Sequence, residues 1–76
     1  METTCKQGKL IISDRSVQVV KPSGQVVWSV LRSGVVGVSV ESKMLGSTLV
    51  FNTAAGQFKA ETITKAKAQE IVQLFS

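Results

Sequence analysis

The spacing of apolar residues changes once along the chain, close to residue 64. Before that point short runs alternate apolar and polar. Lys9–Ser13 sets Leu10 and Ile12 on one face and Ile11 on the other, and Ser16–Lys21 alternates Val17 and Val19 against Gln18. Gln25–Val30 reads as the returning arm of a hairpin across Pro22-Ser23-Gly24, where Pro presets the first turn angle and Gly supplies the left-handed one. Val35–Ser42 carries Val36, Val38 and Val40 on one face; Gly37, on the other, marks a bulge or a close approach by another backbone. Thr48–Asn52 turns Leu49 and Phe51 inward, and Gln57–Thr62 continues the pattern with Phe58 and Ala60. Tight turns separate the runs at Ser13-Asp14-Arg15, Leu31–Gly34, Lys43–Gly46 and Ala54–Gly56.

After Thr64 the period becomes helical. Ala68, Ile71, Val72 and Phe75 recur every three or four residues with Leu74 beside them, and Thr64 suits an N-cap. A helix of about 11 residues follows, too short to stand alone in water but long enough to plug one end of a small barrel. Alternation in every strand means one buried face, hence antiparallel pairing. The expected fold is mainly β: a small, bent, barrel-like antiparallel sheet of about six strands closed by one C-terminal amphipathic helix. No linker or repeat divides the chain, so residues 1–76 read as one domain, with 1–8 as a flexible N-terminus.

Composition narrows the class. With 43% hydrophobic and 18% charged residues the chain is too apolar for disorder, and over-used valine suits a pleated surface. At 76 residues it hides only roughly 60% of its unfolded surface, so a partner that covers more would matter. No apolar run reaches the roughly 20 residues of a membrane span, and a lone Cys5 fits a reducing compartment. A soluble, cytoplasmic chain is expected, peripheral to a membrane if its basic residues meet lipid. Net charge is +4, from nine scattered Lys and Arg against five carboxylates, which serves solubility and favours anionic partners mildly.

Candidate chemistry is sparse. Without His and with one Cys, the usual metal-ligand sets and His-based triads are missing, and no cofactor is implied. Asp14, Glu41, Glu61 and Glu70 stand apart in sequence and suggest no acid–base pair. No Gly-rich turn opens the helix; Lys65 and Lys67 in its first turn, where the dipole disfavours cations, do not make a phosphate loop. One Trp, no Tyr and three Phe at inward or helix-face positions give no stacking platform for bases, so nucleic acid ranks last among partners. An enzyme is not expected.

The run Gly8-Lys9-Leu10-Ile11-Ile12-Ser13-Asp14-Arg15-Ser16-Val17 resembles the opening of bacterial pleckstrin-homology-like domains, whose first strand ends in a Thr/Ser-Asp/Asn-x-Arg turn. The resemblance continues through Trp28-Ser29-Val30, the break at Ser33-Gly34, the Val-rich strand to Glu41, the hairpin of Thr48–Asn52 and Gln57–Glu61, and the closing helix. It rests on the order of elements more than on any residue. It implies a bent antiparallel sheet capped by the helix, and binding rather than catalysis. Eukaryotic relatives bind phosphoinositides through basic residues around the first hairpin; here only Lys9 and Arg15 are near it, with Lys21 at the far end of the second strand. Bacterial relatives often serve as accessory or self-associating modules. Six strands where the full fold has seven would leave a sheet edge unpaired.

Two surfaces follow. Ile11 and Val27, with Val20 and Val50, point away from their inward neighbours and together would form an association face beside an unpaired edge. Contact with a protein partner or a second copy is therefore the first expectation. Anionic lipid headgroups on Lys9, Arg15 and Lys21 are the alternative.

Overall fold

Each alternating segment has one side to bury, and in the computed structural model, which describes residues 1–76, they bury it as two packed sheets. The strands are β1 (Glu2–Cys5), β2 (Gly8–Ile12), β3 (Ser16–Val20), β4 (Val26–Leu31), β5 (Val35–Ser42), β6 (Ser47–Thr53) and β7 (Gly56–Ile63); helix α1 (Lys65–Leu74) closes the chain. All pairings are antiparallel, in the orders β1-β2-β3-β4 and β5-β6-β7. The protein is mainly β, with seven strands where six were expected. The sheets do not close into a barrel: β4 and β5 share no ladder and are joined by a single 3₁₀ turn, Arg32–Gly34.

The extra strand is β1, so residues 1–8 are not a flexible N-terminus. Cys5 enters the core, the Met1 ammonium donates to the Ile12 carbonyl at 2.7 Å, and the Ile12 N–H donates back to Met1 at 2.8 Å. At Gly8, with φ of 149°, a Cβ would collide with the Val20 carbonyl; only glycine lets β2 start so close to the end of β3.

The core joins Leu10, Ile12, Val17 and Val19 of the first sheet to Leu49, Phe51, Ala60 and Ile63 of the second, with Ala68 and Ile71 of α1. Phe75 meets Phe51 edge-on at 5.7 Å. The Thr64 hydroxyl caps the helix by accepting from the Lys67 N–H. Strand β7 touches the first sheet near both of its margins. Its Glu61 carbonyl accepts from the Lys6 N–H (2.9 Å) just past β1, and its Lys59 carbonyl accepts from the Trp28 indole (3.1 Å) on β4.

Three irregularities shift side chains between faces. A bulge opposite Val19/Val20 leaves Val26 outward, while Val27 packs against the core. A second, between Val35 and Gly37, throws Val36 out to 79% exposure and separates it from the inward Val38 and Val40. The third sits on β7, where Thr62 has φ of 60° and the register slips between Ser47 and Leu49, so that Ala60 and Ile63 both face inward.

Candidate functional site

The sheet edges differ in what they offer a partner. The two orders leave β1, β4, β5 and β7 at the margins. Strands β1 and β7 lie against each other, and two of β7's outward carbonyls are taken, by Lys6 and by Trp28. Strand β4 has no neighbour beyond β3. It carries no ionisable residue and no proline, and none of its six residues is fully buried. Its inward pair, Trp28 and Val30, lies opposite the wholly buried Val19 and Val17 yet is itself only partly buried, so the core thins out at this margin. Across the gap, β5 carries one charge, Glu41 near its end.

Exposed apolar side chains gather here. Leu31 is 68% exposed and Val26 half exposed, and Val36 projects just beyond the 3₁₀ turn. Beside them Val30, Leu31, Gly34, Thr53, Ala54 and Ala55 line a shallow, almost wholly apolar cavity of about 300 Å³. Arg32 anchors the turn between: its guanidinium donates to the Ser13 carbonyl at 3.1 Å and lies 5.1 Å from the centre of the Phe75 ring. Neither β4's bare edge nor Arg32's role stood out in the sequence, although the missing charge in Val26–Leu31 was a readable sign of the first.

The residues assigned from sequence to an association face do not form one surface. Val50 is 2% exposed, in the middle strand between Ser39 and Lys59, where neighbours on both sides cover even the outward positions. Val27 is drawn toward the core by the bulge, and Val26 takes the outward place. Ile11 and Val20 do share the outer face of the first sheet, as diagonal neighbours, with Val26 directly across from Val20.

The basic residues separate likewise. Lys9 pairs with Val20 in register, and Lys9 and Lys21, with Glu2, Thr4, Ile11 and Val20, line a cavity of about 350 Å³. The Lys9 ammonium is 3.8 Å from Glu2 and both are well exposed, a weak pairing. Arg15 sits in the β2–β3 turn at the opposite end of that hairpin and does not join them. At the helix start Lys67 lies 3.3 Å from Glu70.

No three of the His, Cys, Asp and Glu side chains come together as a metal site, and no helix is long and apolar enough to cross a membrane. No protein-family model, curated protein or solved structure matches the chain.

Proposed function

We propose that this chain is a pleckstrin-homology-like module without enzymatic activity that works by protein contact, association with a second copy included, through the open margin at β4. The four-plus-three antiparallel order with a helix after the last strand supports the fold reading. The observation that carries the function is the contrast in edge protection. Natural edges are blunted by lysine, proline, strong bulges or a covering element. Here β4 has a bulge at one end only, and exposed Leu31, Val26 and Val36 frame it.

Sedimentation velocity over a rising concentration series tests this. The expected result is a mass that grows with concentration and grows more readily in added salt, because the +4 charge of each copy opposes association until screened. The double variant Leu31→Lys/Val36→Lys should stay monomeric throughout. A wild-type chain that remains monomeric at every concentration and binds no protein would end this reading.

A second reading has its own observation: Lys9 and Lys21 both line the cavity flanked by Ile11 and Val20. That pairing suits an anionic headgroup, and it would place the chain at a membrane periphery. Pelleting with anionic vesicles should then fall sharply in Lys9→Ala/Lys21→Ala and hardly change in Arg15→Ala. Equal pelleting by all three proteins would refute it.

A further inference from the structure

We infer that the turn between β5 and β6 is a membrane-insertion tip. Met44 and Leu45 enter the boundary between headgroups and acyl chains of an anionic bilayer, and lysines at the same end of the molecule face its phosphates. The inference rests on the membrane reading above and adds to it an element on a different turn from Lys9 and Lys21.

The turn is firmly built and then tipped with residues that suit water poorly. The Lys43 N–H donates to the Gly46 carbonyl at 3.0 Å and closes it. Gly46, with φ of 85°, presses on the end of β7, where a Cβ would lie 2.7 Å from the Ile63 carbonyl. The loop is thus held against the body at one residue while its two central residues project: Met44 is 99% exposed and Leu45 80%. The other turns between strands carry small or polar residues such as Asp14, Ser23, Ser33 and Ala55, as turns generally do. Neither Met44 nor Leu45 packs on the core, so the fold gives no reason for them.

Their surroundings indicate what receives them. Lys6 and Lys43 line, with Met44, Leu45 and Glu61, a cavity of about 450 Å³. Two residues beyond Lys6, Gly8 lies against the Lys21 backbone, and Lys65 opens α1 just after Ile63. Lys6, Lys9, Lys21, Lys43 and Lys65 therefore gather toward one end, against Glu2, Glu41 and Glu61. Glu41 is 3.5 Å from Lys43, but both are exposed, and so weak a pair yields readily to phosphate. At the opposite end the basic residues are engaged within the chain: the Arg32 N–H donates to the Arg15 carbonyl and its guanidinium to the Ser13 carbonyl. Two side chains offer far too little area for a stable protein interface, which takes roughly 800 Å² from each partner. A bilayer surface does accept isolated apolar side chains, provided basic residues supply a second attraction at headgroup level.

The test pellets the full chain with phosphatidylcholine vesicles, with and without phosphatidylserine. Met44→Ser/Leu45→Ser removes the tip, Lys9→Ala/Lys21→Ala the headgroup site, and Leu31→Ser an exposed apolar residue at the far end. Circular dichroism checks that each variant folds. The expected outcome is wild-type pelleting only with phosphatidylserine, a loss of about tenfold or more in vesicle affinity for the tip variant, and no change for Leu31→Ser. Met44→Cys carrying an environment-sensitive fluorophore should shift to the blue on the same vesicles; Cys5 is buried, which keeps the label at the tip. Wild-type binding that the tip variant retains, or a label that stays wet, overturns insertion and leaves the membrane reading to stand on Lys9→Ala/Lys21→Ala. An equal loss in Leu31→Ser means indiscriminate apolar adhesion and overturns insertion too. A wild type that pellets with neither vesicle overturns both, and if the tip variant then abolishes self-association in sedimentation, the tip belongs to a protein contact instead.

Discussion

The two margins of this domain were finished differently. On the β1/β7 side, an outward backbone group is answered within the chain, where the Lys6 N–H reaches the Glu61 carbonyl, and the Met1 and Ile12 backbones tie the start of β1 to β2. On the β4/β5 side the sheets part, the strands present valine and leucine, and one 3₁₀ turn is the only covalent link between them. A domain of 76 residues has little core to spare, so leaving one margin thin is costly unless something covers it.

The largest change is expected on the closed side. Gly8→Ala introduces a Cβ into the Val20 carbonyl at a φ that side chains rarely adopt, and should cost roughly 2–4 kcal/mol in urea unfolding. A loss under about 0.5 kcal/mol would mean the closed side is less tightly determined than its geometry implies. Next in size is the link between the sheets. Removing the guanidinium in Arg32→Ala takes away the bond to Ser13 and the contact with Phe75, and about 1–2 kcal/mol of stability should go with them. Lys at position 32 should recover only part of it, lacking the planar fork.

On the open side the expected stability change is smallest. Leu31→Lys replaces an exposed side chain and should shift the dilute monomer's unfolding by no more than about 0.5 kcal/mol, whatever it does to assembly. Hydrogen exchange sharpens the contrast further. The Lys6 amide should be protected at every concentration, whereas the β4 amides directed away from β3 should gain protection only as concentration rises. Equal behaviour of the two sets would erase the distinction between the margins.

Much of the architecture was legible in the sequence. Strands β2 to β7 and the helix lie within a residue or two of where alternation and turn chemistry put them, because each run is long enough to show its period. Strand β1 was not legible: Glu2-Thr-Thr-Cys offers one core residue, and its ordering depends on bonds to Ile12 and Lys6–Glu61 that no local pattern reveals. Side-chain facing failed at the bulges, where one extra residue at Val27 or Val36 reverses the alternation beyond it. It failed at Val50 for another reason. Period two says which way a residue points, not whether the neighbouring strands cover that face, and in β6 even Ser47 and Thr48 are buried. Of the candidate sites, Arg15's separation from Lys9 and Lys21 follows from hairpin register, because it sits in the turn at the other end.

Trp28 gives the molecule a built-in optical probe. It is the only indole in the chain, held by its donation to Lys59 and by Phe51 and Phe58 at 5.7 and 5.4 Å, and it looks out at the unfinished margin. Its emission therefore reports two events from one position, at separable wavelengths. Unfolding releases the ring from both phenylalanines and moves the spectrum to the red, while anything that closes over β4 removes the remaining water and moves it to the blue. Titrating unlabelled protein in a fluorimeter would thus read folding and partner arrival in the same cuvette.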